Sequence, residues 1–203
     1  MILTGNLFSH GLEDTQFWHS EKFEETVNKK TSIALEQDFR VGDNMSSLLY
    51  FHADFGFKRF ITKSYSINLN FRKVFEQKGL EIKREHRPHV QIAWSGKSGS
   101  FSISSRARLE YRIRKGEDPV FRNRDMISLQ YEKGFSALML VPYIANEIFY
   151  DFEKNELSRN RFYIGTRIES LKLVKPTIYF LIQTGIKNEN IFHIGVIGFK
   201  FKF

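Results

Sequence analysis

Apolar and polar residues alternate with a period of two along almost the whole chain, and no helix-period stretch of useful length interrupts them. The pattern is clearest from Phe101 to Arg114. There Phe101, Ile103, Ala107, Leu109, Tyr111 and Ile113 share one face, and Ser102, Ser104, Arg106, Arg108, Glu110, Arg112 and Arg114 the other. That is a strand of about fourteen residues, long against the roughly five or six of soluble proteins. The same pattern predicts Thr31–Val41, where Ile33, Leu35, Phe39 and Val41 oppose Glu36, Asp38 and Arg40. It predicts Leu48–Phe57, where Leu49, Phe51, Phe55 and Phe57 oppose Tyr50, His52 and Asp54, and also Tyr65–Arg72 and Arg87–Trp94. Thr15–Val27, Val120–Glu132, Ala137–Phe149, Arg159–Glu169, Thr177–Ile186 and Ile191–Phe203 bring the segments to eleven.

Consecutive long strands with one apolar face predict an all-β fold, a closed antiparallel up-and-down transmembrane barrel occupying 15–203 as one domain. Bacterial single-chain barrels have even strand numbers, so eleven segments predict twelve strands, with Ile2–Ser9 as the extra one. Ten is the alternative, with the Glu-rich Thr15–Val27 outside the wall. Residues 1–14 are otherwise the remnant of a signal peptide, since they lack both a basic start and a long apolar run. Asn28–Lys30, Ser95–Gly99, Lys133–Phe135 and Lys172–Lys175 read as tight turns. Phe75–Glu85, Lys115–Pro119 and Tyr150–Ser158 read as longer loops, so the two rims are expected to differ.

Composition alters this picture less than it first promises. With 41% hydrophobic and 27% charged residues the chain has a soluble profile. No window approaches the run of about 20 apolar residues that a membrane helix needs. Neither fact bears on a barrel, whose strands average lipid-facing and inward residues. The 21 Phe and 8 Tyr suit interfacial girdles, for which Trp94, Tyr111, Tyr131 and Tyr179 are candidates. Zero cysteines exclude disulfides, thiolate metal sites and cysteine nucleophiles, and accord with folding in the periplasm. The net charge of +8 would suit nucleic acid or anionic lipid. Because the basic residues are interleaved along strands, outer-membrane lipid is the expected partner and nucleic acid is not.

The chain ends Ile197-Gly198-Phe199-Lys200-Phe201-Lys202-Phe203. Phe199, Phe201 and Phe203 at every second position, with Phe terminal, read as a final strand and as the assembly signal that barrel-assembly machinery engages. Further motifs are Phe17-Trp18, Glu36-Gln37-Asp38-Phe39-Arg40 followed by Asp43-Asn44, and Arg106-Ala107-Arg108-Leu109-Glu110-Tyr111-Arg112. Arg122-Asn123-Arg124, Pro142-Tyr143 leading to Glu147-Ile148-Phe149, and Asn160-Arg161 with Gly165 follow in order. In these motifs, from about Gln16 to the C-terminus, the sequence resembles the uncharacterised family known as domain of unknown function 2490, regarded as outer-membrane β-barrels. The resemblance implies location in the bacterial outer membrane of Gram-negative cells. It carries no catalytic or binding residues with it.

If the apolar faces meet lipid, the polar faces line the lumen, because an Arg facing lipid costs about 2–4 kcal/mol at the midplane. This places Glu36, Asp38, Arg40, Asp54, Arg72, Arg106, Arg108, Glu110, Arg112, Arg122, Arg124, Glu147, Arg161, Arg167 and Glu169 inside. Two readings follow. A ring of guanidinium groups would favour passage of phosphate or carboxylate solutes, as in a narrow, porin-like anion pore. Alternatively, Arg and Glu from neighbouring strands pair and hold a structural, monomeric barrel shut.

His52 and Asp54 share the lumenal face, so an acid–base group of a lipid hydrolase is a further alternative. His86 and His89, three apart, fall on opposite faces of a strand, so no shared metal is expected, and without a Gly-rich phosphate loop no cofactor is either. The remaining rival is a soluble lipocalin-like barrel binding a hydrophobic ligand, in which both faces would be reversed.

Overall fold

The computed structural model describes residues 12–187 and 190–203. Among these, eleven strands form a closed barrel: β1 (Asp14–Asn28), β2 (Thr31–Gly42), β3 (Ser47–Phe60), β4 (Tyr65–Lys78), β5 (Glu81–Ser98), β6 (Phe101–Arg114), β7 (Val120–Tyr131), β8 (Leu140–Asp151), β9 (Glu156–Ile168), β10 (Lys175–Lys187) and β11 (Asn190–Lys202). Each pairs antiparallel with its chain neighbour, and β1 closes on β11 in parallel, from Asp14 opposite Ile194 to Lys22 opposite Lys202. The expectation of twelve or ten all-antiparallel strands is thereby corrected. An up-and-down chain with an odd number of strands returns its last strand in the direction of its first, so the seam must be parallel. The Glu-rich β1 belongs to the wall, and Ile2–Ser9 lies outside the described residues.

The connections also differ from expectation. The described ones span two to eight residues at one rim and two to five at the other, so the rim expected to carry the longer loops has the shorter connections, and Phe75–Glu85 is a hairpin of two long strands around Gly79-Leu80, not a loop. Gly79 (φ 62°) and Gly99 (φ 58°) occupy the first central positions of two-residue turns, where a positive φ keeps the turn's twist in step with the strands. The strands outrun their apolar pattern because the backbone ladder continues through the polar Gln77, Lys78, Glu81 and Lys83.

Large apolar side chains are exposed around the entire outer wall, among them Phe23, Leu35, Phe55, Leu69, Ile92, Phe101, Ile127, Ile144, Ile164, Phe180 and Ile197. Charged and amide side chains are buried inside. The sense of the two faces is therefore opposite to that of a soluble barrel. A β-bulge between Arg40 and Val41 corrects one position: Leu48 faces out, and Leu49 lies beside an inner cavity.

Outward aromatics recur ten positions apart at Tyr65 and Phe75 on β4, at Phe101 and Tyr111 on β6, and at Phe121 and Tyr131 on β7. Polar side chains on the outer wall satisfy one another across strands. The amides of Asn146 and Asn160 exchange hydrogen bonds at 3.2 Å each way, Thr184 Oγ1 lies 3.0 Å from His193 Nδ1, and Gln37 donates to Glu21 at 2.6 Å.

The interior has two sectors. Trp18, Ala145, Tyr163, Tyr179, Leu181 and Val196 form an apolar cluster beneath β1 and β8–β11. Here Tyr143, Gly165, Tyr179, Gly198 and Trp18 are successive cross-strand partners, so rings and glycines alternate. A Cβ on Gly198 would overlap the Tyr179 ring. Tyr179, 4% exposed, is thus a core residue and not a girdle residue, as its parity with Leu181 requires. The other sector is ionic.

Candidate functional site

Strand parity aims one residue in two inward, and the register decides which charges meet. Glu110 on β6 sits opposite Arg122 on β7, and Arg108 opposite Arg124. Glu110 is 0% exposed and accepts hydrogen bonds from Arg122 (Nε 3.0 Å, Nη2 2.5 Å) and Arg124 (Nη1 3.0 Å). Arg108 and Arg87 approach it at 3.7 and 3.8 Å. Glu147, also 0% exposed, accepts from Arg106 (2.6 Å), Arg124 (2.8 Å) and the Tyr163 hydroxyl (3.3 Å), with Arg161 at 3.6 Å. Arg124 thus bridges the two buried carboxylates. Charge-assisted bonds of this kind hold in a low-dielectric interior only when the remaining lone pairs are also satisfied.

A second group lies beneath β2–β5. Asp54 accepts from Arg72 Nε at 2.7 Å and Asn70 at 2.6 Å, while Asp38 accepts from Arg40 Nε at 2.7 Å. Glu36 stands 3.5 Å from His52 and 3.8 Å from Arg72. The pairing of His52 with Asp54 considered from sequence is not formed. Asp54 is committed to Arg72, and His52, opposite Asp38, makes no hydrogen bond through either ring nitrogen. His86 is exposed and His89 buried, on opposite faces.

Near one rim Arg112 joins Arg87 on Glu85, through Nε at 2.9 Å and Nη2 at 2.8 Å. At the other rim Arg167 contacts Glu169, which lies just beyond β9 and also contacts Lys175. Burial pushes the Glu169 carboxyl up, but the hydrogen bonds from Lys175 and Arg167 outweigh it and hold the group below the usual carboxylate range.

Of the fifteen charged positions named from the sequence, fourteen sit on strands at inward-facing positions, and Glu169, beyond the end of β9, borders the inner cavity at the rim. Phe199, Phe201 and Phe203 instead pack across the parallel seam on Phe17, His19 and Phe23, at ring separations of 5.7, 5.5 and 4.7 Å. Sequence reasoning missed Glu85, Arg87, Arg159 and Lys200. Glu85 lay in the segment read as a loop, whereas Arg159 and Lys200 were within reach of the alternation that places Arg161 and Gly198 inward.

Among the cavities lined by described residues, two of about 640 and 450 Å³ meet inside the barrel. Both are lined by Trp18, Arg40, Arg72, Arg124 and Arg161, which form a waist between them. Stacking holds this waist. The Arg40 guanidinium lies 3.8 Å from the Trp18 ring centre and 4.3 Å from that of Tyr50, and Arg161 lies 4.7 Å from Trp18 and 4.8 Å from Phe149. Arg side chains pinned between rings and carboxylates leave little freedom at the centre of the lumen.

Among solved structures the fold is similar to LpxR from Salmonella typhimurium, with a TM-score of 0.50 and 7% sequence identity, covering 85% of this chain and 83% of that one. No curated protein matches the sequence. The model of the family described as Protein of unknown function (DUF2490) matches residues 15–190, and the chain belongs to that family.

Proposed function

We propose that this protein is an integral barrel of the bacterial outer membrane, sealed at its waist. The observation that carries the reading is the inverted distribution of residues, apolar side chains exposed around the whole wall and ionic groups buried within it. The aromatic pairs on β4, β6 and β7 support it. Ten residues at about 3.4 Å each, tilted by about 40°, span about 26 Å, the height of an outer-membrane apolar band. The paired Asn146–Asn160 and Thr184–His193 side chains suit a wall facing lipid, where no water is present to satisfy them. Outer-membrane lipid is the partner of this surface. The Phe-rich β11 is the segment offered to the barrel-assembly machinery, and nothing in the wall requires a second copy.

A soluble lipocalin-like role would need an apolar cavity, whereas these cavities are lined by arginine. Conduction is disfavoured by the waist, where guanidinium groups are held by rings and by Asp38, Asp54, Glu110 and Glu147. The test is fractionation followed by planar-bilayer recording. Recovery only with detergent, a heat-modifiable folded species and a silent bilayer are the expected results. Solubility without detergent would overturn the membrane reading, and discrete anion-selective steps would overturn the sealed one.

A further inference from the structure

We infer that the larger cavity is a binding site for a phosphate-bearing anion. Among the described residues it is lined by twelve Lys and Arg and only three Asp and Glu. Two of the three acids are already committed, Asp38 to Arg40 and Glu169 to Arg167 and Lys175. Glu36 makes only the long contacts to His52 and Arg72. Acids behind the lining answer part of this charge, Asp54 at Arg72, Glu110 and Glu147 at Arg124, Glu147 at Arg106 and Arg161, and Glu24 at Lys22 and Lys202, but with the three lining acids these make seven carboxylates against the twelve cations.

Particular donor atoms lack an anionic hydrogen-bond partner or meet a carboxylate only at a distance. Among the described residues Lys200 has no carboxylate within 4.0 Å, and its ammonium rests over the rings of Tyr179 and Tyr163 at 5.0 and 5.8 Å. Arg108 donates hydrogen bonds only to the neutral Gln91 amide, at 2.9 and 3.2 Å, and meets Glu110 only at 3.7 Å, with Arg124 directly across the strand pair. His52, 1% exposed, lines the same cavity with both ring nitrogens free of hydrogen bonds, and Arg106 Nε is likewise unsatisfied. Lys200, Ser20, Asp38 and His52 are successive cross-strand partners, so these groups form a continuous floor.

Like charges facing one another between low-dielectric walls focus the field and draw a counter-ion. A guanidinium fork matches two oxygens of a phosphate, and an ammonium adds a point charge. A monovalent carboxylate would leave more of the excess uncompensated. The volume of about 640 Å³ admits a small phosphate ester or a lipid headgroup. Lys172, Lys175 and Lys202 stand at the mouth beside Leu173 and Phe203, so both sources have access. The inference does not depend on the barrel being sealed.

The test uses the full chain, folded in detergent micelles, observed by phosphorus NMR. Inorganic phosphate and, separately, phosphatidic acid in the micelle are titrated, with acetate as competitor. Saturable broadening that acetate does not displace is expected with phosphate, with the lipid or with both, and the pattern identifies the source. Lys200→Gln should weaken binding by about tenfold, as should Arg108→Gln, while Arg159→Gln in the other cavity leaves it unchanged. Lys200 is solvent-accessible, so its variant is expected to fold even if Arg108→Gln does not. Absence of saturation with both probes, equal affinity for acetate, or unaltered binding by Lys200→Gln would overturn the inference.

Discussion

Replacing Glu110 by Gln removes a charge from the barrel interior with almost no change of volume. The carboxylate accepts three hydrogen bonds from Arg122 and Arg124, and two more guanidinium groups stand at 3.7 and 3.8 Å. At 4 Å and an effective dielectric of 20 each such pair attracts by about 4 kcal/mol, so the gross loss is large. It is offset because the amide no longer bears the desolvation cost of a buried carboxylate. The amide also turns two donors toward groups that already donate. Breaking a buried ion pair from one side typically costs about 3–5 kcal/mol net, and that range is expected here. Urea unfolding in micelles, followed by tryptophan fluorescence, measures it, since Trp18 is buried beside the network. Adding Arg124→Gln in the same chain should return at least about 1 kcal/mol relative to the sum of the two single losses. A loss below about 1 kcal/mol for Glu110→Gln, or strict additivity, would refute the view that this carboxylate organises the interior.

Other perturbations probe separate parts of the argument. Ile164→Arg, at an exposed position of β9, should destabilise by about 2–4 kcal/mol in a lipid bilayer and by little in a soluble barrel, which vesicle refolding distinguishes. Gly198→Ala should cost about 1–3 kcal/mol by overpacking against Tyr179, seen as lost heat-modifiability, with Tyr179→Leu restoring part of it. Arg40→Ala combined with Arg161→Ala should open the waist and produce conductance in a bilayer where the parent chain is silent. Glu132 is held below the usual carboxylate range by the Ser102 hydroxyl, which donates to it at 2.6 Å, and by Lys97. Its contribution is therefore present above the unfolded pKa and lost as pH falls through the lowered folded one. Ser102→Ala should shrink that acid-side loss of stability, and an unchanged pH profile would remove the claim.

Period-two alternation located all eleven strands, and it also assigned the inner and outer faces. It did so because each lipid- or solvent-facing residue is followed by one that must tolerate the interior, a constraint that acts residue by residue. It failed in two kinds of place. Where the outer face stops being apolar, as at Phe75–Glu85, backbone pairing continues without any pattern to mark it, and Glu85 and Arg87 were missed or left unassigned. Where a bulge inserts a residue, as at Leu48-Leu49, parity reverses.

The strand number was misjudged because a count borrowed from other barrels displaced the count the residues themselves supported. Closure is a property of the assembled wall, and an odd wall closes with a parallel seam. Pairing lay further out of reach. Sequence alone placed Arg and Glu inside together, but not that Arg124 would link Glu110 to Glu147 or that His52 would be left beside Asp38 without a bond. Parity depends on neighbours in the chain, whereas partners depend on the register between strands, which the turns and the bulges fix over the whole barrel. For the same reason the charge balance of each cavity, the quantity on which ligand binding rests, was decided only when the wall closed.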